Sequence, residues 1–409
     1  MSDASPGRIL VRNAGLEILP RAGGGVTLRL PHWRRSIDAT RYQVQLLQHF
    51  IDGADPVQVL ERFPFARHDT TKFLQDCVEH GVLVERDAQG REFYPERVRP
   101  LVTALGAPFV EDAIAAPFVF LGVPWDGGTS GRPGARFGPA VLREAVSSCQ
   151  LQLDAVDLLP MGFYDFGAGR ALLERVLLAD AGDVFAQPGE EAAEVHARVT
   201  RQVRRIVQAG AIPLVLGGDH SISYPVLRGF EGKRIGLLHL DAHTDLDEPH
   251  PRDVLHHGSV MTWVHEHLPD VARILQVGLR GITNLGAQGM PERVQQVGMD
   301  LLRREGPAAV LDHLPENLVY YVSIDIDVVD PSCAPATGTP VPGGLWPHEV
   351  KQLLREVGEQ RVVVGADLVE VTAPGEMGDG TAMVGMELML TLADAVVQGE
   401  RRRAAATAT

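Results

Sequence analysis

The segment that decides the fold is Leu237-Leu238-His239-Leu240-Asp241-Ala242-His243-Thr244-Asp245. An apolar run over residues 235–240 predicts a buried strand, and three polar side chains follow it at alternating positions. Side chains at i, i+2 and i+4 of an extended chain point to the same side, so Asp241, His243 and Asp245 converge if the strand geometry continues. Open α/β sheets carry their sites at the carboxyl ends of strands. The segment therefore indicates a candidate metal site.

Two further segments repeat this arrangement. An apolar run over residues 212–216 leads into Gly217-Gly218-Asp219-His220-Ser221, and a run that starts at Tyr320 ends in Asp325-Ile326-Asp327. An isolated Asp-x-His-x-Asp is more often a solvated turn than a metal site. Three strands that each end in His or Asp are much harder to explain by chance. Together they supply two His and four Asp, a set of hard ligands.

Composition and length fit an ordinary soluble globular protein of two or three domains: 409 residues, 45% hydrophobic and 22% charged. No run approaches the roughly 18 apolar residues of a membrane span, and the N-terminus lacks the features of a signal peptide. We therefore expect a cytoplasmic protein that does not act at a membrane. The three cysteines, Cys77, Cys149 and Cys333, are odd in number and widely spaced, which predicts reduced thiols.

The net charge of −15 is unevenly distributed. Residues 1–100 have a balance of +1, and the remaining 309 residues have a balance of −16. An acidic body of this kind argues against a nucleic-acid partner and is compatible with a cationic substrate.

Residues 1–100 are predicted to form a small α+β domain with a winged-helix-like arrangement. One helical pattern follows Thr40, a second begins at Asp55-Pro56, and a third begins near Asp69 and ends at Gly81. Apolar segments then flank Asp87-Ala88-Gln89-Gly90, which predicts a hairpin.

This arrangement resembles the small modules that recognise leader peptides during the biosynthesis of ribosomally made, modified peptides. The resemblance implies that a precursor peptide binds through residues 1–100. The alternative is a packing domain that caps or oligomerises the catalytic body. DNA binding is disfavoured because Lys72 is the only Lys or Arg of the third predicted helix.

Residues 101–117 are predicted to be a linker, 118–399 an α/β catalytic domain with a mostly parallel sheet, and 400–409 a disordered tail. The acidic segment 180–194 is expected to be a mobile loop. Strands are predicted at residues 118–123, 212–216, 235–240, 274–279, 319–324 and 362–366, and helices at residues 139–149, 195–209, 221–229, 345–357 and 386–398.

The strand-end segments, together with Pro335-Ala336-Thr337-Gly338-Thr339-Pro340 and Gly134-Ala135-Arg136-Phe137-Gly138-Pro139, resemble the ureohydrolases, the family of arginase and agmatinase. The resemblance covers about residues 115–400. It implies a three-layer arginase-like α/β fold with a mostly parallel central sheet and a centre of two Mn(II) ions. The implied reaction is hydrolysis of a guanidino group to urea and an amine by a hydroxide held between the metals. By ligand chemistry alone, iron, cobalt, nickel and zinc stay open.

The same resemblance implies the metal ligands. One metal would take His220, Asp241, Asp245 and Asp325, and the other His243, Asp241, Asp325 and Asp327. Ligand chemistry agrees, because four carboxylates and two imidazoles form an oxygen-rich set that suits Mn(II), and four negative charges do not gather without cations.

Three residues are implied to be catalytic. Asp245 would accept a proton from the attacking water, and His257, or else its neighbour His256, matches the family's histidine proton shuttle. Glu370 matches the glutamate that pairs with the substrate guanidinium, since a bidentate carboxylate complements that planar cation. A salt bridge at a strand end is the plain alternative for Glu370.

Substrate contacts are expected from Glu370, Asp247 and Thr283. Asp247 stands where arginases have an asparagine that reads the substrate carboxylate, and residues 278–283 lack the aspartate that reads the α-amino group. Both departures count against free arginine. They leave agmatine, another guanidino amine or acid, and an arginine side chain in a peptide as substrates. The N-terminal module favours the peptide, with arginine converted to ornithine. The alternatives are a small guanidino amine or acid, as in agmatinases, and a pseudoenzyme that only binds a guanidino ligand. A homo-oligomer is also expected.

Overall fold

The structure is a computed structural model, and it describes residues 9–13, 15–21, 25–30, 35–63, 67–86, 92–93, 95–111, 114–186, 189–247, 254–282, 290–373 and 380–407. The chain divides into two compact units. The first consists of residues 1–101 and 182–190, and the second of residues 102–181 and 191–409.

The described residues of the first unit form three helices and two small antiparallel sheets. Its elements are β1 Ile9–Arg12, β2 Glu17–Pro20, β3 Val26–Leu30, β4 Arg35–Ala39, α1 Arg41–Gln48, α2 Pro56–Glu61, α3 Arg67–Glu79, β5 Leu83–Arg86, β6 Glu92–Phe93 and β7 Arg97–Val98. Sheet order is β1-β5-β6 in one sheet and β2-β3-β4 in the other. The three predicted helices are confirmed, although α3 begins at Arg67, ahead of the predicted start. The sheet β2-β3-β4 is an addition that the sequence interpretation did not contain.

Local sequence explains where these helices begin. The Thr40 side chain accepts from the Gln43 backbone N–H at 3.2 Å, and the Gln43 side chain accepts from the Thr40 N–H at 2.8 Å, which is a capping box. Asp55 caps α2 by accepting from the Val57 N–H at 2.8 Å, with Pro56 at the first helical position. The predicted hairpin turn at residues 87–90 lies outside the described residues, but its arms β5 and β6 pair antiparallel. The resemblance to leader-peptide modules stays a prediction.

The second unit is an α/β fold with a mostly parallel sheet, as predicted. Its strands are β8 Phe118–Gly122, β9 Phe163–Asp165, β10 Arg170–Leu172, β11 Leu178–Val184 (whose last residues belong to the first unit), β12 Ile212–Leu216, β13 Ile235–Leu240, β14 Val271–Val277, β15 Val294–Val297, β16 Val319–Asp325 and β17 Val362–Val369. Its helices are α4 Gly138–Ala145, α5 Ala192–Gln208, α6 Ser223–Leu227, α7 Val260–His267, α8 Met299–Glu305, α9 Ala308–Leu311, α10 Pro347–Gln360 and α11 Gly380–Thr407.

The order of the central strands positions the site. The sheet runs β15-β14-β13-β16-β17-β12-β8-β11, and the pairs from β15 through β8 are parallel. Strands β13, β16, β17 and β12 are therefore immediate neighbours whose carboxyl ends meet at one edge. Their residues are almost entirely buried, which explains why they are continuous apolar runs.

Two expectations about local structure are wrong. Residues 178–184, which overlap the expected mobile loop, form the buried strand β11. Residues 400–407, expected to be disordered, continue helix α11.

Among the described residues, α11 alone is long and apolar enough to span a membrane, but 78% of its apolar window is buried within the fold, as in a core helix.

Strand β11 contains acidic residues because one of them is paired in the core. Asp180 is fully buried and receives two hydrogen bonds from the buried Arg143 of α4, Nε to Oδ2 at 2.8 Å and Nη2 to Oδ1 at 2.9 Å. The Ala104 backbone N–H also donates to Asp180 at 2.8 Å. This bidentate geometry satisfies a carboxylate that would otherwise be costly to bury.

We predict that Arg143→Met lowers the free energy of unfolding by about 3–5 kcal/mol, because it leaves the Asp180 carboxylate buried without its cation. Urea denaturation measures the change. The same substitution at Arg204, whose pair with Glu231 is largely exposed, is the control and should cost less than about 1 kcal/mol. Equal losses in the two variants would contradict this account.

Candidate metal centre

Three of the four adjacent strands, β13, β16 and β12, deliver all six predicted ligands to one place. Asp241, His243 and Asp245 follow β13, Asp325 ends β16 with Asp327 just beyond, and His220 follows β12. The turn after β12 needs glycine, because a Cβ at Gly218 would collide with the Trp125 carbonyl oxygen.

A first group forms around His220. Its Nδ1 lies 3.1 Å from Asp241 Oδ2, 3.0 Å from Asp245 Oδ2 and 3.3 Å from Asp325 Oδ2. All four side chains are buried or nearly so. These are the four residues predicted for the first metal, and the structure brings them together.

A second group forms around His243 and shares Asp241 with the first. His243 Nδ1 lies 3.0 Å from Asp327 Oδ2 and 3.4 Å from Asp241 Oδ1. Asp325, predicted to serve both metals, accepts the Asp327 backbone N–H at its Oδ1 at 2.8 Å and turns Oδ2 to the first group. Asp241 therefore joins the two groups through its two oxygens.

The charges of this cluster are strongly coupled. Burial and the neighbouring carboxylates raise the pKa of Asp325 well above its usual range, and the pKa of Asp327 to about 6. The nearby carboxylates of Asp241 and Asp327 raise the pKa of His243 to about 11. Burial opposes ionisation of Asp241, but the surrounding imidazoles hold its pKa well below the usual range. Such a cluster needs positive charge, which either protons or metal ions can supply.

Two orphaned atoms show that the cluster fits metal ions. His220 Nδ1 and Asp327 Oδ2 are buried and make no hydrogen bond, although each lies within about 3 Å of a facing ligand atom. Buried polar atoms are nearly always satisfied, so two orphans aimed into an oxygen-rich cluster match the needs of divalent cations.

Residues behind His220 set its tautomer. Ser323 Oγ donates to Asp367 Oδ1 at 2.6 Å, so it accepts from His220 Nε2 at 2.9 Å. Tyr321 Oη donates to the other Asp367 oxygen at 3.0 Å. The His220 proton is therefore held on Nε2, which leaves the Nδ1 lone pair for a metal.

His257 and Glu370 lie together beside the first group. His257 Nε2 accepts the Ser130 backbone N–H at 3.2 Å, and its Nδ1 lies 3.3 Å from Glu370 Oε1. Burial opposes protonation of His257, but Glu370 and further carboxylates raise its pKa overall. His256 exchanges backbone hydrogen bonds with Ser259 at the start of the short helix His257–Ser259, and it is not among the described residues that line the cavity over the site. Of the two candidate shuttles, the structure places His257 at the centre.

Backbone strain concentrates at two of these positions. Asp245 has φ +50° and Glu370 has φ +62°, a left-handed conformation that residues other than glycine rarely adopt. Strain of this kind costs about 1–3 kcal/mol per residue and persists where the surroundings enforce it, often at functional sites. Glu370 is held by the His220 backbone N–H, which donates to its Oε1 at 2.8 Å.

A cavity of about 430 Å³ opens above the cluster. Its described walls include the site residues His243, Asp245, Asp325 and His257, together with Asp247 and Arg280. The Arg280 guanidinium donates to the backbone carbonyls of Asp327 and Val341, at 2.5 and 2.7 Å from Nη2, so it is engaged by the fold. Thr283, the other predicted substrate contact, lies outside the described residues.

The sequence interpretation missed His239. This histidine of β13 is fully buried, and its ring lies among the atoms of His220, Asp241 and Asp245 that could hold a metal. The i, i+2 spacing of the strand could have identified it, because His239 stands two residues before Asp241 and shares the face of the later ligands.

The fold and the site define a metal-dependent hydrolase of the arginase family, to which the chain belongs: the family model, described as the arginase family, matches residues 116–394. Human mitochondrial guanidino acid hydrolase is 35% identical over 283 residues, which are 67% of this chain and 76% of that protein. Mitochondrial agmatinase of Gallus gallus is 32% identical over 297 residues, 70% and 83% of the two chains. The solved structure of proclavaminate amidinohydrolase from Streptomyces clavuligerus is 30% identical with a TM-score of 0.62, and the match covers 75% of this chain and 99% of that one.

These relatives support metal-dependent hydrolysis of a guanidino compound. Arginase-family enzymes use a binuclear metal centre. The described residues of this chain include two clusters of His and Asp side chains that could each bind a metal ion.

We predict that Asp241→Asn lowers the metal content from two ions per chain to one or none, because Asp241 is the residue common to both groups. Plasma emission spectrometry of desalted, Mn(II)-loaded protein measures the ratio. The control is Asp312→Asn, an exposed carboxylate at the end of α9. Two ions retained by the Asp241 variant would show that this carboxylate does not join the groups.

Proposed function

We propose that the chain hydrolyses the guanidino group of a small molecule to urea and an amine, using two Mn(II) ions. The observation that supports this most directly is the shared Asp241, with one His–Asp group on each of its oxygens. An oxygen-rich ligand set favours Mn(II) over metals that prefer thiolates. When bound, such ions acidify a water molecule for attack on the guanidinium carbon.

The protein's own residues have to bind the cation and move protons. In the balanced reaction, the substrate guanidinium and one water give urea and a protonated amine, as the bond between the carbon and the substituted nitrogen breaks. Glu370 pairs with the guanidinium. Asp245 accepts a proton from the water. His257, beside Glu370 at 3.3 Å, carries a proton to the leaving nitrogen.

The relatives favour a small molecule over a peptide. The human and Gallus gallus proteins are named for a guanidino acid and for agmatine, so the alternative reading of the sequence has better support than peptide arginine. Peptide arginine, and a precursor peptide bound through residues 1–100, stay predictions from the sequence. So do the homo-oligomer and the cytoplasmic location.

Charge in the cavity favours an amine at the far end of the substrate. Asp247 is an exposed carboxylate on the cavity wall, and the structure gives its side chain no hydrogen bond or ion pair with a described residue. Arg280 is the only Lys or Arg among the described lining residues, and carbonyl groups occupy it. A cationic tail is therefore better accommodated than a carboxylate.

We predict that the Mn(II)-loaded protein releases urea from agmatine with a higher kcat/KM than from 4-guanidinobutyrate, which has a similar length and a carboxylate in place of the amine. Free arginine and a terminally blocked arginine peptide complete the comparison. Asp247→Asn should reduce the preference for agmatine about 5- to 30-fold, in keeping with the roughly 1–2 kcal/mol of a charge-assisted contact, and Asp312→Asn should not. Preference for the peptide would favour the peptide reading, and no urea from any of the four would refute the proposed reaction.

We predict that Glu370→Gln lowers kcat/KM about 10- to 150-fold, because the loss of a charged hydrogen-bond partner costs roughly 1.5–3 kcal/mol. Steady-state urea release measures the effect, and the metal content should stay at two ions per chain. An unchanged kcat/KM would exclude pairing between Glu370 and the guanidinium.

A further inference from the structure

His239 and Gln276 form a buried polar pair behind the metal centre, and both side chains are fully buried. His239 belongs to β13 and Gln276 to the neighbouring strand β14, where the two residues are register partners. His239 Nε2 lies 2.8 Å from Asp241 Oδ2, and its Nδ1 lies 3.0 Å from Gln276 Nε2. A line of polar contacts therefore leads from β14 to the carboxylate that joins the two metal groups.

The backbone fixes which way the Gln276 amide points. Its Nε2 lies 2.6 Å from the Thr244 carbonyl oxygen, which can only accept a hydrogen bond, so the group there must be the NH2. The amide oxygen faces outward and accepts from Gln296 Nε2 at 3.0 Å. The reversed amide would set oxygen against oxygen at Thr244, so the contacts allow one orientation.

This orientation determines the tautomer of His239. The Gln276 NH2 donates its second hydrogen to His239 Nδ1, which must therefore be unprotonated. The imidazole is neutral and carries its proton on Nε2, directed at Asp241 Oδ2. Both ring nitrogens are thus engaged, which leaves no lone pair for a metal.

We propose that His239 is a positioning residue and not a metal ligand: its Nε2–H orients the Asp241 carboxylate between the two metals, and Gln276, oriented by the Thr244 carbonyl, holds His239 in the tautomer that can donate. The inference rests on the proposed dinuclear centre. It distinguishes His239 from the two other histidines of the cluster, His220 and His243, each of which turns Nδ1 towards facing carboxylates.

The link through Thr244 gives this network a second effect. Thr244 lies between His243 and Asp245, a residue from each metal group, and its carbonyl is held by the same Gln276 amide that holds His239. One buried side chain of β14 therefore fixes both the carboxylate shared by the groups and the loop that carries the next two ligands. Hydrogen-bonded partners behind metal ligands typically change metal affinity about 10- to 100-fold when removed.

The test measures metal binding and not turnover. Metal-free full-length wild type, His239→Phe and His239→Gln are titrated with Mn(II) in a calorimeter. Phenylalanine keeps the ring shape without a donor, and the glutamine amide can replace the Nε2–H. We expect two ions in the wild type, about 10- to 100-fold weaker binding of at least one ion in the phenylalanine variant, and recovery of most of that loss in the glutamine variant. His196→Phe, the same change at a partly buried histidine whose ring packs on Trp125, should bind as the wild type does.

X-ray absorption of the Mn(II)-loaded wild type provides a second reading that needs no variant. We expect a total of two imidazole ligands for the two ions, one from His220 and one from His243. A total of three would overturn the proposal, because His239 would then be a ligand. Unchanged Mn(II) affinity in His239→Phe would also overturn it. Fewer than two ions in the wild type would instead refute the dinuclear centre itself, so the two failures can be told apart.

Discussion

The structure depends on one electrostatic constraint: four carboxylates have to lie together, largely out of water, around two imidazoles. Charges of one sign are not stable in such a place unless cations balance them. The fold meets the geometric part of this constraint with four adjacent parallel strands, β13, β16, β17 and β12, whose carboxyl ends meet at one edge. Each strand contributes one or a few polar residues and is otherwise apolar, so the charged cluster stands on a packed hydrophobic base.

The residues around the cluster determine its orientation. His220 is oriented through Ser323 and Asp367, and Asp241 is approached from behind by His239. Glu370 contacts both the backbone of His220 and the ring of His257. The predicted metal ligands, the residues that hydrogen-bond to them and the proposed catalytic groups are therefore linked by hydrogen bonds. A substitution at one of them is expected to change the position of its neighbours.

Sequence patterns are sufficient to predict the strands that are apolar throughout and the ligand motifs at their ends. They failed where tertiary contacts overrode composition. The acidic residues from Asp180 onward predict a loop where strand β11 lies, because the buried Arg143 that neutralises Asp180 is distant in the sequence. Gln276 could not be recognised either, since its role depends on strand pairing with His239. The substrate contacts were the least accessible, because they arise from loops whose arrangement no periodicity encodes.

The strand order has a consequence for how the protein is made. Strands β12 and β13 are consecutive in the chain, yet β16 and β17 lie between them in the sheet. A growing chain that has reached Asp245 holds His220, Asp241, His243 and Asp245, but the strands that separate and align these residues are still missing. The centre is assembled only when the chain beyond Glu370 has been synthesised and two late strands have inserted between two early ones. Such long-range pairing is slow, so the capacity to hold metal is among the last properties that this protein acquires.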